Sequence, residues 1–125
     1  MELNLFKILI CDDSLLTRKQ FKDLLLSNGY SQVFEATNGQ EAVDKYKIHN
    51  PNIVFMDIVM PVKTGIEAVT EILEYDKDAK IVMASSSGTK THLKKSIEAG
   101  AFDFIQKPVD EDQVLNIVNN LTKEA

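Results

Sequence analysis

The stretch Lys7-Ile-Leu-Ile-Cys11 is a compact apolar run that stops abruptly at Asp12 and Asp13. A second run of this kind, Ile53-Val-Phe-Met56, stops in the same way at Asp57. Short apolar runs without polar alternation are typical of strands that are buried on both faces of a sheet. The two stretches therefore predict buried strands whose carboxyl ends carry acidic side chains.

Working outward from these runs, five short strand patterns alternate with five longer helical patterns along the whole chain. The predicted strands are residues 7–11, 32–36, 53–56, 80–84 and 102–106. The predicted helices lie between and after them, and the last carries the i, i+3, i+4, i+7 stripe of Val114, Ile117, Val118 and Leu121. Strict alternation predicts a doubly wound α/β fold, with a five-stranded parallel sheet, five helices and right-handed crossovers. We expect residues 1–125 to form a single domain.

Composition narrows the class of protein before any motif is considered. The chain has 125 residues, with 14 Lys and Arg against 19 Asp and Glu, and thus a formal charge of −5. This acidic balance lacks the basic field that nucleic-acid binding normally needs. A single cysteine cannot form an internal disulfide, and no apolar run approaches the roughly 20 residues of a membrane span. We therefore expect a soluble, cytoplasmic domain without nucleic-acid or membrane partners. We also expect the protein to be a monomer.

The residues at the predicted strand ends are the candidates for chemistry. Asp12 and Asp13 follow the first strand, Asp57 the third, Ser85 the fourth and Lys107 the fifth. In open parallel sheets, ligands bind beyond the carboxyl ends of the strands. If the first and third strands are neighbours, three carboxylates share one crevice, and oxygen ligands without Cys or His suit Mg²⁺ or Mn²⁺. A lysine and a hydroxyl beside such an ion would complete a clamp for a phosphoryl group.

These residues, together with Met56-Asp-Ile-Val-Met-Pro61 and Lys107-Pro108, resemble the receiver domain of two-component response regulators. The resemblance extends from Leu5 to Leu121 and is strongest to the stand-alone receivers of the chemotaxis CheY type. It implies the flavodoxin/CheY-like strand order 2-1-3-4-5. It also implies a cis peptide bond before Pro108, which an X-Pro sequence makes accessible.

The resemblance implies a phosphoryl acceptor and a metal site. Asp57 would be the nucleophile that takes a phosphoryl group from a phosphohistidine of a histidine kinase. Asp13, Asp57 and the backbone carbonyl of Val59 would ligate Mg²⁺, and Asp12 would act through metal-bound water. Such a protein catalyses its own phosphorylation and dephosphorylation and is not a turnover enzyme on external substrates.

The resemblance also implies a switch. Lys107 and Ser85 would contact phosphoryl oxygens, and Ser85 would move toward the phosphoryl group while the ring of Phe104 turns inward. A downstream target, such as a flagellar motor switch component, would bind the fourth helix, fifth strand and fifth helix, and a phosphatase is a further implied partner. Val59 and Ser87 occupy the two positions that tune hydrolysis in the family, and the apolar Val59 predicts slow unaided dephosphorylation.

Other readings stay open at this point. A phosphorelay intermediate would pass its phosphoryl group to another histidine, and the sequence does not choose between this role and chemotaxis. An FMN-binding electron carrier of the same fold needs a Ser/Thr/Gly-rich loop where Asp12 and Asp13 stand. A hydrolase with an aspartate nucleophile usually has Asp-x-Asp there, whereas these two carboxylates are adjacent. His49 and His92 show no metal-ligand spacing, so we expect both on solvated helix faces or ends.

Overall fold

The chain folds into alternating strands and helices, as a computed structural model that describes residues 1–86 and 90–124 shows. The strands are β1 (Lys7–Cys11), β2 (Gln32–Ala36), β3 (Ile53–Asp57), β4 (Ile81–Ser85) and β5 (Asp103–Gln106). The helices are α1 (Leu15–Ser27), α2 (Gly39–His49), α3 (Gly65–Tyr75), α4 (Lys90–Ala99) and α5 (Glu111–Glu124). A short 3-10 turn at Leu3–Leu5, which the sequence patterns did not predict, precedes β1.

The five strands form one parallel sheet in the order β2-β1-β3-β4-β5. The predicted fold class and strand order are confirmed. From β1 the chain first adds β2 on one side of β1 and then returns to add β3 on its other side. The direction in which strands are added therefore reverses between β1 and β3. Cys11 pairs with Met56, and Asp57 pairs with Ala84, which aligns the carboxyl ends of β1, β3 and β4. This reversal point is where open α/β sheets leave a crevice for ligands.

Two apolar layers cover the two faces of the sheet. On one face, Leu9 of β1 and Met56 of β3 pack with the apolar sides of α2 and α3. On the other face, Ile8 of β1 and Phe55 of β3 pack with α1 and α5. Neighbouring residues of one strand thus enter opposite layers, which explains why the strands read as continuous apolar runs. Among the described residues of α4, Ser96 is the buried one.

Capping side chains stabilise the N-termini of α1, α2 and α3. Ser14 accepts a hydrogen bond from the Thr17 amide at the start of α1. Asn38 caps α2, accepting a hydrogen bond from the Glu41 amide at 2.8 Å. Thr64 caps α3, and Glu67 returns the bond to the Thr64 amide, so both halves of a capping box are present.

The strand boundaries differ from the predicted ones by about one residue. The strand predicted over residues 53–56 extends to Asp57, and the strand predicted over residues 80–84 is shifted to Ile81–Ser85. The reason is backbone pairing: the Ile58 amide donates to the Ala84 carbonyl at 3.1 Å, and the Lys107 amide donates to the Ser85 carbonyl at 2.9 Å. The polar residues at the strand ends are therefore part of the ladder and are held by it.

The length of the helices and the environment of the single cysteine bear on the class of protein. In the described part of the chain, none of the helices combines the length and the apolar character needed to cross a membrane. Cys11 is buried in β1, and burial raises the pKa of its thiol far above the ordinary value. A thiol with a raised pKa is rarely ionised and is a poor nucleophile, so Cys11 acts here as a packing residue.

Candidate functional site

Three carboxylates converge at the carboxyl ends of β1 and β3. Asp12 and Asp13 follow β1, Asp57 ends β3, and one oxygen from each lies within 4.8 Å of the others. Asp12 and Asp57 are buried, whereas Asp13 is exposed to solvent. The crevice that the strand ends predict therefore exists, with two carboxylates at its base and one at its rim.

Lys107 reaches into this crevice from the end of β5. Its Nζ lies 3.3 Å from Asp57 Oδ1, and it donates a hydrogen bond to Asp12 Oδ2. The peptide bond between Lys107 and Pro108 is cis, as predicted. The lysine ammonium thus bridges the two buried carboxylates and closes one side of the site.

The electrostatics of the site favour an additional cation. Burial raises the pKa of the Asp57 carboxyl, with Asp12 and Asp13 raising it further and Lys107 opposing them. Burial alone would lower the pKa of Lys107, but Asp12 and Asp57 outweigh it, so the pKa of Lys107 is raised and the ammonium stays charged. The crevice thus holds three carboxyl groups and one ammonium, an excess of two acidic groups. A divalent cation would balance this excess.

The first turn of α1 sets the orientation of Asp12. Asp12 Oδ1 accepts a hydrogen bond from the Ser14 amide at 2.9 Å, so the carboxylate turns back over the start of the helix. Arg18, one turn further along α1, donates to the Asp12 backbone carbonyl at 2.8 Å. The backbone amides at a helix N-terminus favour a negative side chain at this position. Hydrogen bonds within this short stretch of chain thus orient the Asp12 carboxylate.

The loop between β3 and α3 lies against the end of β3. The Gly65 amide donates to the Ile58 carbonyl at 2.9 Å, and a Cβ at Gly65 would lie 2.1 Å from the Asp57 carbonyl oxygen. Within the loop, Val59 is exposed, and Val62 has a φ of 69°, an uncommon value for a β-branched residue. Glycine is therefore required at Gly65 for close approach, and Val59 lies exposed in the loop two residues after Asp57.

Ser85 ends β4 beside the acidic crevice. It is buried and follows Ala84, which pairs with Asp57 on the neighbouring strand. Its Oγ lies 2.8 Å from Nδ1 of His92 in α4. The expectation of a solvated His92 is therefore wrong, because the ring is half-buried and contacts a candidate site residue. Sequence spacing gave no signal for this contact, since it crosses the connection from β4 to α4.

Phe104 lies on β5, apart from the carboxylates. It pairs with Met83 of β4 and is half-buried against the apolar layer that contains α2 and α3. A groove between α4 and β5 is lined by Leu93, Ile97 and Phe102 together with Phe104. This groove lies between two of the elements, α4 and β5, to which the family resemblance assigns target binding. Ser87, predicted to tune hydrolysis, lies outside the described residues.

Comparison with known proteins identifies the class of protein that this fold and site define. The family model described as the response regulator receiver domain matches residues 8–119. The chain therefore belongs to the response regulator receiver domain family. This result confirms the family inferred from the strand-end residues.

The relatives specify the type of receiver. The chain is 47% identical to the chemotaxis protein CheY of Bacillus subtilis over 113 residues, covering 90% of this chain and 94% of the relative. It is 44% identical to the chemotaxis protein CheY of Thermotoga maritima over 117 residues, covering 94% and 98% of the two chains. A Borrelia burgdorferi CheX-CheY-BeF3-Mg²⁺ complex contains a chain with a TM-score of 0.86 and 40% identity, covering 94% of this chain and 89% of that one. The protein is thus a receiver of the CheY chemotaxis type.

Proposed function

We propose that this protein is a phosphorylation-controlled response regulator that accepts a phosphoryl group on Asp57 and then changes what it binds in a chemotaxis pathway. The observation that carries the proposal is the convergence of Asp12, Asp13 and Asp57 with Lys107 at the reversal point of the sheet. A histidine kinase is the proposed donor, because its phosphohistidine carries a transferable phosphoryl group. Residues 1–125 would act as one receiver domain, because α1 and α5 pack on the same face of one sheet. We place this domain in the cytoplasm on the strength of its similarity to chemotaxis receivers.

The donor atoms of the crevice fit Mg²⁺, with Mn²⁺ as a possible substitute. Asp13, Asp57 and the backbone carbonyl of Val59 would hold the ion directly, and Asp12 would act through its water. Oxygen donors without sulfur or imidazole are those that Mg²⁺ prefers, and Mg²⁺ commonly retains several waters while recruiting a phosphate oxygen. When bound, the ion supplies positive charge to the phosphoryl oxygens during transfer.

The protein's own residues supply the other requirements of the transfer. An Asp57 carboxylate oxygen forms the new bond to phosphorus while the bond from phosphorus to the donor histidine nitrogen breaks. The electron pair stays on that nitrogen, and the ring, protonated on its other nitrogen, leaves as neutral imidazole. Little further chemistry is needed, because phosphoryl transfer depends mainly on positioning and charge neutralisation. Lys107, already 3.3 Å from Asp57, would transfer its ammonium contact to a phosphoryl oxygen. Ser85 would donate a hydrogen bond from its hydroxyl to another phosphoryl oxygen.

The product changes the charge of the site and so can move the neighbouring elements. An aspartyl phosphate carries about 1.5 to 2 negative charges, by analogy with other phosphorylated side chains, where the ionised carboxylate carried one, so the site gains up to about one negative charge. We propose that Ser85 moves toward the new charge and that Phe104 turns inward behind it. The consequence would be a changed surface on α4, β5 and α5, where a target such as a flagellar motor switch component would bind.

A titration with Mg²⁺ and then beryllofluoride, followed by NMR of the labelled protein, tests this proposal. We expect Mg²⁺ to shift the amide signals around Asp13 and Val59. We expect beryllofluoride, which mimics a phosphoryl group on a carboxylate, to shift those around Ser85 and Phe104. Asp57→Asn should lose the beryllofluoride response. An absent Mg²⁺-dependent response in the wild type would overturn the proposal.

The matched control for that titration is a carboxylate outside the crevice. Asp44 lies exposed on α2 and accepts a hydrogen bond from Gln40 at 3.0 Å. Asp44→Asn removes the same charge as Asp57→Asn and should keep both responses. Equal beryllofluoride responses in the two variants would show that Asp57 is not the acceptor.

A further inference from the structure

The contact between β4 and α4 gives His92 a place in the switch. We propose that His92 is a positioning residue that holds the Ser85 hydroxyl on the α4 side and thereby opposes its movement toward a phosphoryl group on Asp57. This inference rests on the proposed function of Ser85 as a phosphoryl ligand. It adds a residue that neither the sequence motifs nor the acidic crevice contains.

The geometry of the pair is that of a hydrogen bond. Ser85 Oγ and His92 Nδ1 are 2.8 Å apart, and Ser85 is only 2% exposed, so water has little access to the hydroxyl. A serine hydroxyl has a single proton to donate and two lone pairs that accept. The hydrogen bond to His92 Nδ1 therefore uses either the single proton of the Ser85 hydroxyl or one of its two lone pairs.

The backbone of His92 is hydrogen-bonded within α4. Ser96, which is completely buried one turn along α4, donates its hydroxyl to the His92 carbonyl at 2.8 Å. The Ala101 amide donates to the Ser96 carbonyl at 3.0 Å, which ties the end of this helix to the same residue. The imidazole is thus presented from a helix in which the backbone of His92 is hydrogen-bonded to the buried Ser96.

Movement of Ser85 toward Asp57 competes with this bond in either tautomer of the histidine. If Nδ1 accepts, the Ser85 proton is used by His92 and is not available to a phosphoryl oxygen. If Nδ1 donates, the hydroxyl oxygen is held toward α4. Both arrangements stabilise the position described here over one closed on Asp57, and a two-state switch responds to such a difference in free energy. The bond therefore connects α4, part of the proposed output surface, to the site.

Two substitutions separate the role of Nδ1 from that of the ring as a whole. Asparagine places its amide near the Nδ1 position, whereas glutamine places its amide near the position of Nε2. We expect His92→Asn to keep the contact with Ser85 and His92→Gln to lose it. Both side chains are neutral and polar, so a difference between the variants reports on the contact itself.

Apparent beryllofluoride affinity in saturating Mg²⁺, measured by NMR titration, is the readout. His92→Gln should bind beryllofluoride about threefold to tenfold more tightly than wild type, as expected for losing one hydrogen bond that opposes closure. His92→Asn should stay close to the wild-type affinity. In a Ser85→Ala background, His92→Gln should have no further effect, which a merely structural role of His92 would not predict.

The outcomes separate this inference from the proposed function. Wild-type binding of beryllofluoride with an unchanged or weaker affinity in His92→Gln would overturn the inference alone. A tighter affinity that persists in the Ser85→Ala background would also overturn it, because the effect would not pass through the hydroxyl. A wild-type protein that binds no beryllofluoride in Mg²⁺ would overturn the proposed function and the inference together.

Discussion

Asp57 places a carboxylate where burial and two neighbouring carboxylates oppose its ionisation, while one lysine favours it. Burial is the largest of these effects, and the net result is a raised pKa. A carboxyl group whose pKa is higher in the folded than in the unfolded state binds protons more readily when folded. Ionised Asp57 therefore costs folding free energy, and the cost appears as pH rises from the unfolded pKa through the folded one.

Asp57→Asn removes this cost and should stabilise the metal-free protein at neutral pH. As pH falls through the raised pKa of Asp57, the gain should shrink, and it should vanish below the ordinary value of 3.8. Urea denaturation with excess chelator at several pH values measures the difference. Asp44→Asn, which removes an exposed charge, serves as the control. A stabilisation that grows as the pH is lowered would contradict the electrostatic account.

The side chain of Val59 bears on the rate at which the aspartyl phosphate is hydrolysed. Its exposed, apolar side chain lies two residues after Asp57 and cannot orient an attacking water. Val59→Asn supplies an amide that can, and we expect phosphate loss to accelerate by about threefold to tenfold, the effect of one hydrogen bond. Phosphate release after removal of the donor is the measurement. Val62→Asn, in the same exposed loop, should leave the rate unchanged, and an unchanged rate in Val59→Asn would refute the idea.

Two glycines at the N-termini of α2 and α3 pack closely against the backbone of the segment that runs from β3 to α3. A Cβ on Gly39 of α2 would lie 2.0 Å from the Lys63 carbonyl oxygen, and one on Gly65 would lie 2.1 Å from that of Asp57. Both distances are far below van der Waals contact with an atom that cannot move aside easily. The N-termini of α2 and α3 thus pack directly on the chain that carries the acceptor.

Gly65→Ala tests that packing. The added methyl must displace the end of β3 or the start of α3, so we expect a loss of about 1–3 kcal/mol in the free energy of unfolding. Because the displaced carbonyl belongs to Asp57, Mg²⁺ affinity should fall as well. Urea denaturation and calorimetric Mg²⁺ titration measure the two effects. Glu74→Ala, on the exposed side of the same helix, should change neither, and wild-type behaviour of Gly65→Ala would exclude the close approach.

The sheet was predictable from the sequence because strands that are buried on both faces carry apolar side chains at successive positions. Residues such as Ile53 and Val54 face opposite apolar layers, so the strand reads as an uninterrupted apolar run. The acidic crevice was also predictable, since parallel strands end at one edge and Asp12 and Asp57 stand at two of those ends. Local patterns were sufficient wherever function depended on the position of a strand end.

The parts that could not be predicted depend on contacts between distant segments. His92 belongs to a polar helix face by its own sequence, and only the tertiary placement of α4 beside the end of β4 brings its ring to Ser85. The positive φ of Val62 has no local signal either, because valine disfavours that conformation and tertiary structure imposes it. Sequence reasoning therefore found the reactive groups but missed a side chain that holds one of them.

The central claim is that Asp57 accepts a phosphoryl group with the help of Mg²⁺. Incubation with acetyl phosphate, followed by intact mass and peptide mapping, tests it most directly, with Asp57→Asn and a chelated sample in parallel. We predict that the wild type gains the mass of one phosphoryl group only with Mg²⁺, that the group maps to Asp57, and that Asp57→Asn gains none. An adduct that forms equally in chelator, or that persists in Asp57→Asn, would contradict the account.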